Sequence, residues 1–283
     1  MKVDVDDSAG FCFGVVKAIE TAEKHLAEQG SLLCLGQMVH NETEMTRLKQ
    51  NGLKTIQHKD LAKNNGKQVL IRAHGEPPET YRKANESQVS LIDATCPIVL
   101  TLQKRIAKHD PDKEQVVIFG KKHHPETIGL NGQTGNRGII IDSEDDLEKI
   151  DFSKDVVLYS QTTMDYEAFE NLKMQIQQSM RNNAFFASHN SICGQMKRRK
   201  PALIDFVKKH DVVLFVAGKH SSNGRFLFQT AKKYQPETYM IGAKTDIDQE
   251  WLKGAQRVGV SGATSTPAWL LNDIAQHIKT LKA

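Results

Sequence analysis

The sequence has few of the features that define specialised structural classes. Only four of its 283 residues are cysteine, and they lie far apart, at positions 12, 34, 96 and 193. No two of them have the CxxC spacing of a zinc ribbon, and four scattered cysteines are not the dense disulfide framework of a small secreted domain. Neither a disulfide-stabilised scaffold nor a ribbon-type zinc site is therefore indicated.

Long apolar runs and a strong charge imbalance are also missing. No segment approaches the ~18 apolar residues of a membrane span, and the N-terminal MKVDVDDSAGFCFG lacks the apolar core of a signal peptide. The net charge is only +4, which is too small to indicate nucleic-acid binding but suits a small anionic ligand. With 39% hydrophobic residues, the chain is predicted to be a cytoplasmic enzyme without nucleic-acid or membrane partners.

What the sequence does contain is a threefold internal repeat. Three of the cysteines each precede a helical pattern and then an apolar run that ends near a glycine. The helical patterns are GVVKAIETAEKHLAEQ, IVLTLQKRIAKH and KRRKPALIDFVKKH, and the apolar runs are SLLCLG, QVVIFG and DVVLFVAG. Twenty-eight residues after each cysteine stands a polar residue: His40, His124 and Ser221.

Each copy continues with further strand-to-loop-to-helix passages, the pattern of βαβ units in parallel sheets. The sequence thus predicts an α/β protein of three small parallel-sheet lobes in a pseudo-threefold arrangement. We expect lobe 1 to span 13–96, lobe 2 to span 97–193 and lobe 3 to span 194–283, with residues 1–12 joining lobe 3.

Cys12, Cys96 and Cys193 occupy equivalent places in the three copies. Ligands of parallel sheets bind at the carboxyl ends of the strands, so three such thiols can meet on a threefold axis. There they could hold zinc, or an iron-sulfur cluster in which one iron lacks a protein thiolate. Buried structural thiols and a single cysteine nucleophile are the alternatives that spacing leaves open. Cys34, inside SLLCLG, is predicted to be a core residue.

Imidazole, hydroxyl and amide groups follow other predicted strands. His40, His74 and His124 have SSN, residues 221–223, as their counterpart in the third copy. Such donors, together with N–H groups at helix starts, suit a phosphate or diphosphate. No GxxxxGK[ST] or GxGxxG motif is present, so a nucleotide is not implied.

Charged residues near these positions have two interpretations each. Glu126, in HHPE, is either a proton donor in the same cavity or a carboxylate that stabilises the start of a helix. The clusters KRRK at 197–200 and KK at 121–122 are predicted to form solvated basic faces, with docking of an acidic electron carrier as the alternative.

Short motifs follow one another along nearly the whole chain in the order AGFCFGV, MVHN, RAHGEPP, DATCP, HHPE, GQT, SQTT, SIC, SSN and GATSTP. This ordered set resembles the 4-hydroxy-3-methylbut-2-enyl diphosphate reductase (LytB) family. GQMKRRK stands after Cys193, where the family commonly has small and hydroxyl residues leading to an Arg-Gln pair. The resemblance implies a three-lobed fold around a central iron-sulfur cluster, and reductive dehydroxylation of an allylic alcohol diphosphate to isopentenyl and dimethylallyl diphosphates, the last step of the non-mevalonate isoprenoid pathway.

The resemblance also implies roles for single residues. Cys12, Cys96 and Cys193 would hold a [4Fe-4S] cluster with one open iron, Glu126 would supply protons, and Thr162 would hold the substrate hydroxyl. A reduced ferredoxin or flavodoxin would deliver the electrons. The residues expected to bind the diphosphate are His40, His74, His124, Ser221, Ser222, Asn223 and Ser265.

Overall fold

A computed structural model describes residues 1–281 and contains, within them, twelve β-strands and nine α-helices. The strands are β1 (Lys2–Val5), β2 (Leu32–Leu35), β3 (Leu53–Ile56), β4 (Gln68–Ile71), β5 (Ser90–Asp93), β6 (Gln115–Phe119), β7 (Ile139–Ile141), β8 (Val156–Ser160), β9 (Phe186–Ser188), β10 (Val212–Val216), β11 (Thr238–Ile241) and β12 (Arg257–Gly262). The helices are α1 (Phe13–Gln29), α2 (Glu42–Gln50), α3 (Pro78–Glu86), α4 (Pro97–Ile106), α5 (Pro125–Gly132), α6 (Tyr166–Ser179), α7 (Gly194–Val207), α8 (Ser222–Tyr234) and α9 (Ala268–Thr280).

The strands form three four-stranded sheets with the same topology. Their orders are β3-β2-β4-β5, β7-β6-β8-β9 and β1-β12-β10-β11. The pairs β4–β5, β6–β8 and β10–β12 are parallel, and the N-terminal β1 pairs in parallel with β12. Three parallel sheets with intervening helices confirm the predicted α/β class with three repeated modules.

An edge strand of each sheet, β1, β5 or β9, leads to a cysteine at the start of a helix. Cys12 is the N-cap of α1, Cys96 is the N-cap of α4, and Cys193 directly precedes α7. The helices predicted after these cysteines are therefore present. Cys34 lies instead inside β2 and is completely buried, as its apolar context predicted.

Contacts divide the chain into two compact units. Unit 1 consists of Met1–Ser31, Gln37–Lys54 and the segment from Arg198 onward, and unit 2 of Leu32–Gly36 and Thr55–Lys197. Among residues 1–281, no helix is long and apolar enough to cross a membrane.

The core of each unit lies on both faces of a central strand, because successive side chains of a strand point to opposite faces. In β10 of unit 1, Val212 and Leu214 pack with α9 residues such as Ile274, whereas Val213 and Phe215 pack in a separate cluster. The alternating residues of β6 in unit 2 are divided between two clusters in the same way. With both faces covered, the carboxyl-end loops of the sheets are where polar groups can collect.

Candidate active site

Glu126 is held in the interior of unit 2 by Thr162. It lies in the first turn of α5 and is only 2% exposed. The Thr162 N–H donates to its Oε1 at 2.6 Å, and the Thr162 Oγ1 hydroxyl donates to its Oε2 at 2.9 Å. Glu126 is thus at a helix start, as its structural interpretation predicted, and its carboxylate also contacts the hydroxyl singled out from the sequence.

Burial raises the pKa of Glu126 to about 7, although the two hydrogen bonds from Thr162 act in the opposite direction. Desolvation dominates because an ionised carboxylate loses its hydration in a buried site. The group therefore exchanges a proton near neutral pH, which is the property that general acid-base catalysis requires.

His124 is the N-cap of α5, and its Nδ1 accepts a hydrogen bond from the Glu126 N–H at 3.2 Å. A neutral imidazole that accepts at Nδ1 carries its proton at Nε2, where it can donate to an anion. The His74 ring packs edge-on against the His124 ring with centroids 5.2 Å apart. Two of the three predicted histidines are therefore neighbours in unit 2.

Main-chain contacts connect this group to two of the cysteines of unit 2, Cys96 and Cys193. The Cys96 N–H donates to the carbonyl oxygen of Ala73, the residue before His74, at 3.0 Å, and the Cys193 N–H donates to the Thr162 carbonyl oxygen at 2.9 Å. Six predicted site residues thus form one connected set in unit 2: Cys96, His74, His124, Glu126, Thr162 and Cys193.

Gln161 is a member of this set that the sequence did not single out. It is buried, its Oε1 accepts from the Lys121 N–H and the Thr127 hydroxyl, and its Nε2 donates to the Thr163 hydroxyl. Gln161 therefore ties the loop before His124 to the SQTT turn. The position of Gln161 in the SQTT motif was the sequence signal that could have identified it. The Thr163 hydroxyl contacts Gln161, whereas the Thr162 hydroxyl contacts Glu126.

The remaining polar residues meet within unit 1. Ser221 is the N-cap of α8, and its Oγ lies 3.2 Å from the Oγ of Ser265. The Ser265 hydroxyl donates to the His40 carbonyl oxygen at 3.4 Å. A Cβ at Gly218 would lie 2.3 Å from the same oxygen, so only glycine permits this approach of the His40 loop.

The first turn of α8 contributes the other two residues of the predicted set. Ser222 opens the helix and is partly exposed, and the Asn223 Oδ1 accepts from the Thr264 hydroxyl at 3.0 Å. His40, Ser221, Ser222, Asn223 and Ser265 therefore lie together, beside the N-terminus of a helix, where unsatisfied N–H groups favour anions.

The cysteines differ in a way that bears on metal binding. No disulfide joins them, and Cys12, Cys96 and Cys193 are partly exposed at helix starts. Burial instead raises the pKa of Cys34 to about 12, so its thiol stays protonated. Each of these three repeat-related thiols is exposed enough to act as a metal ligand, whereas Cys34 is completely buried.

The prediction of solvated basic faces is wrong for one residue of the two clusters, Arg199. Lys121 is exposed and forms an ion pair with Asp142, and Lys122 is only half-buried. In KRRK, Lys197 and Arg198 are exposed, but Arg199 is only 3% exposed. Arg199 is buried because it contacts residues distant in the sequence, such as Asp6 and Ser261. A local charge pattern does not reveal such contacts.

The fold and these two groups of residues define a repeated α/β protein with three thiols at helix starts and donor groups suited to an anion. Residues 3–279 match the LytB protein family. The chain therefore belongs to the LytB family.

Individual relatives are similar over almost their full length. The chain is 46% identical to the 4-hydroxy-3-methylbut-2-enyl diphosphate reductase of Bacteroides fragilis over 283 residues, covering 99% of this chain and 98% of the relative. It is 40% identical to the enzyme of the same name from Chloroherpeton thalassium over 304 residues, covering 99% and 96%.

Two solved structures share the fold. The structure of an (E)-4-hydroxy-3-methyl-but-2-enyl diphosphate reductase, described as the terminal enzyme of the non-mevalonate pathway, aligns with a TM-score of 0.75 at 31% identity and covers 99% of this chain and 100% of that chain. The Plasmodium falciparum E-1-hydroxy-2-methyl-but-2-enyl-4-diphosphate reductase aligns with a TM-score of 0.84 at 24% identity, covering 99% and 88%, which supports the fold alone.

Proposed function

We propose that this chain is an oxidoreductase that reductively dehydroxylates 4-hydroxy-3-methylbut-2-enyl diphosphate. The products are isopentenyl diphosphate and dimethylallyl diphosphate. The full-length similarity to reductases of this name supports the reaction. The observation within the molecule that carries it is the buried pair of Glu126 and Thr162, whose carboxyl group titrates near neutral pH.

Cys12, Cys96 and Cys193 would hold a [4Fe-4S] cluster. Their fit rests on donor chemistry, because partly exposed sulfur donors at helix starts are suited to coordinate iron. When bound, the cluster would supply electrons and one iron without a thiolate, able to act as a Lewis acid. Reduced ferredoxin or flavodoxin in the cytoplasm would be the electron source.

The diphosphate would be bound by His40, His74, His124, Ser221, Ser222, Asn223 and Ser265. Imidazole N–H groups, hydroxyls and an amide can each donate to phosphate oxygens. The N-termini of α5 and α8, capped by His124 and Ser221, add favourable dipoles for the negative charge. These contacts would fix the diphosphate.

Thr162 and Glu126 would manage the protons. Replacement of a hydroxyl group by hydrogen consumes two electrons and two protons and releases one water. With its pKa near 7, Glu126 carries a proton in much of the protein at neutral pH, and its Oε2 is in hydrogen-bond contact with the Thr162 hydroxyl. A hydroxyl both accepts and donates, so Thr162 can pass a proton from Glu126 to the leaving oxygen of the substrate.

Anaerobic purification followed by reconstitution with iron and sulfide tests this proposal. The reconstituted protein should contain about four irons per chain and no stoichiometric zinc, and should consume the allylic diphosphate when an artificial one-electron reductant is supplied. Stoichiometric zinc with no iron would support a structural metal site instead. Activity that survives removal of Cys12, Cys96 and Cys193 together would support a phosphate-transferring enzyme.

A further inference from the structure

Arg199 bridges two separate loops of unit 1 from a buried position in α7. Its Nη1 donates to Asp6 Oδ2 at 2.8 Å and to the Ser8 hydroxyl at 2.6 Å. Its Nη2 donates to the Ser261 hydroxyl at 2.8 Å and to the Gly262 carbonyl oxygen at 2.9 Å. One guanidinium group thus connects the segment after β1 to the end of β12.

The segment after β1, residues 6–12, is the Cys12 loop. Asp6 organises its first half, because its Oδ1 accepts from both the N–H and the hydroxyl of Ser8, and its Oδ2 accepts from the Ser261 hydroxyl. The Ala9 N–H donates to the Asp6 carbonyl oxygen. The loop then passes Gly10, whose φ of +105° is a conformation that side chains rarely allow, and ends at Cys12.

The segment from the last residue of β12 onward, residues 262–266, is the Ser265 loop. It begins at Gly262, an acceptor for Arg199, and runs to Thr266, whose carbonyl oxygen would lie 3.6 Å from a Cβ at Gly10. The two loops are therefore neighbours, and Arg199 joins them at the positions where each leaves the sheet.

Stability alone does not account for this arrangement. Burial lowers the pKa of Arg199, opposed by the charge of Asp6, and the Arg199 Nε has no hydrogen-bond partner within the described residues 1–281. Buried ion pairs are weak sources of stability, since desolvation offsets much of their attraction, and specific geometry is their best-supported benefit.

We propose that Arg199 is a positioning residue that holds the Cys12 loop and the Ser265 loop in one fixed relation. It rests on the proposed function, under which the first loop carries a cluster ligand and the second a diphosphate ligand. Because the planar guanidinium serves both loops through different nitrogens, a single-headed ammonium cannot replace it at both.

The first test is amide hydrogen exchange on the cluster-free protein, which needs neither cofactor nor substrate. R199Q should speed exchange about tenfold or more in peptides covering residues 6–12 and 262–266, because charge-assisted hydrogen bonds are lost on both sides. R199K should retain the contact with Asp6 and speed exchange mainly in 262–266. S261A, which removes one bridging hydroxyl and leaves the charges, should have a smaller effect in both loops.

Arg198→Gln is the matched control, because it removes a charge from the exposed neighbour on the same helix and should leave both loops as in the wild type. Unchanged exchange in both loops of R199K, S261A and any folded R199Q would overturn the proposal. Equal acceleration throughout β10 and β12 would also overturn it, since that result describes loss of unit stability. If R199Q does not fold, the proposal is judged from R199K, in which exchange should be faster mainly in residues 262–266.

The second test is steady-state kinetics of the reconstituted protein. R199K should raise KM for the allylic diphosphate about tenfold with a smaller change in kcat, and R198Q should change neither. An active wild type with unchanged KM in R199K would overturn the positioning role. An inactive, iron-free wild type would instead count against the proposed function. Hydrogen exchange would still test whether Arg199 holds the Cys12 loop and the Ser265 loop together.

Discussion

Thr162 binds both carboxylate oxygens of Glu126, with its N–H 2.6 Å from Oε1 and its hydroxyl oxygen 2.9 Å from Oε2. The main-chain bond fixes the position of the carboxyl group, and the second contact places a hydroxyl, which can both accept and donate, against its other oxygen. Since the Cys193 N–H binds the carbonyl oxygen of the same threonine, the geometry of the acid is tied to the main chain at a proposed cluster ligand.

Glu126→Gln should abolish most turnover while preserving the site. The amide keeps nearly the same shape and hydrogen-bonding reach but cannot supply an acidic proton. With excess artificial reductant, we expect kcat to fall by ~10² or more, with iron content unchanged. Glu148→Gln, which alters an exposed glutamate of the same unit, is the control. A Glu126→Gln protein with more than half of the wild-type rate would reduce Glu126 to a helix-start carboxylate.

The raised pKa of Glu126 predicts a dependence of stability on pH. The folded protein keeps this proton up to a pH of about 7, whereas the unfolded chain releases it near 4.5. The folded state thus binds more protons between these values, and the free energy of unfolding falls as pH rises through that window.

Urea unfolding of the cluster-free protein at several pH values measures this effect. Relative to Glu126→Gln, the wild type should lose up to about 3 kcal/mol of unfolding free energy between pH 4.5 and pH 8. Parallel pH profiles for the two proteins would contradict the buried, neutral carboxyl group.

The four cysteines should separate into two classes. Cys12→Ser, Cys96→Ser and Cys193→Ser should each lower the iron retained after anaerobic reconstitution and abolish activity, because a hydroxyl is a poor replacement for a thiolate ligand. Cys34→Ser should keep the iron and lose about 1–3 kcal/mol of stability from a buried hydroxyl. Full iron content in any of the first three variants would remove that residue from the ligand set.

The histidines should affect substrate binding without affecting iron. His40→Ala, His74→Ala or His124→Ala should each raise KM by about tenfold or more, since a hydrogen bond to a charged group contributes about 1.5–3 kcal/mol. His123→Ala is the matched control, because His123 is the exposed neighbour of His124. Wild-type KM values in all three variants would show that the diphosphate binds elsewhere.

Much of this fold could be predicted because the signals are local. Apolar runs and helical periodicity in the sequence indicate a repeated order of strand, cysteine and helix. In the structure this order occurs as β1–Cys12–α1, β5–Cys96–α4 and β9–Cys193–α7. Cys34 could be assigned to the core for the same reason, since its neighbours in β2 are apolar.

The contacts that the sequence did not show are those made across long separations in the chain. The local basic run KRRK predicts that Arg199 lies on a solvated face. In the structure Arg199 is instead paired with Asp6, which lies 193 residues away in the sequence. Gln161 reaches Thr127 across 34 residues. Buried polar networks depend on which loops meet, and neither periodicity nor charge pattern encodes that information.

The proposed reductive dehydroxylation is tested most directly by mass spectrometry of the products that the iron-loaded protein forms in deuterated water with excess reductant. Reductive dehydroxylation replaces the hydroxyl group with a hydrogen that originates from solvent. We expect isopentenyl and dimethylallyl diphosphates that each carry one deuterium on carbon. Release of phosphate from an allylic alcohol that keeps its hydroxyl group, or no conversion by fully iron-loaded protein, would contradict it.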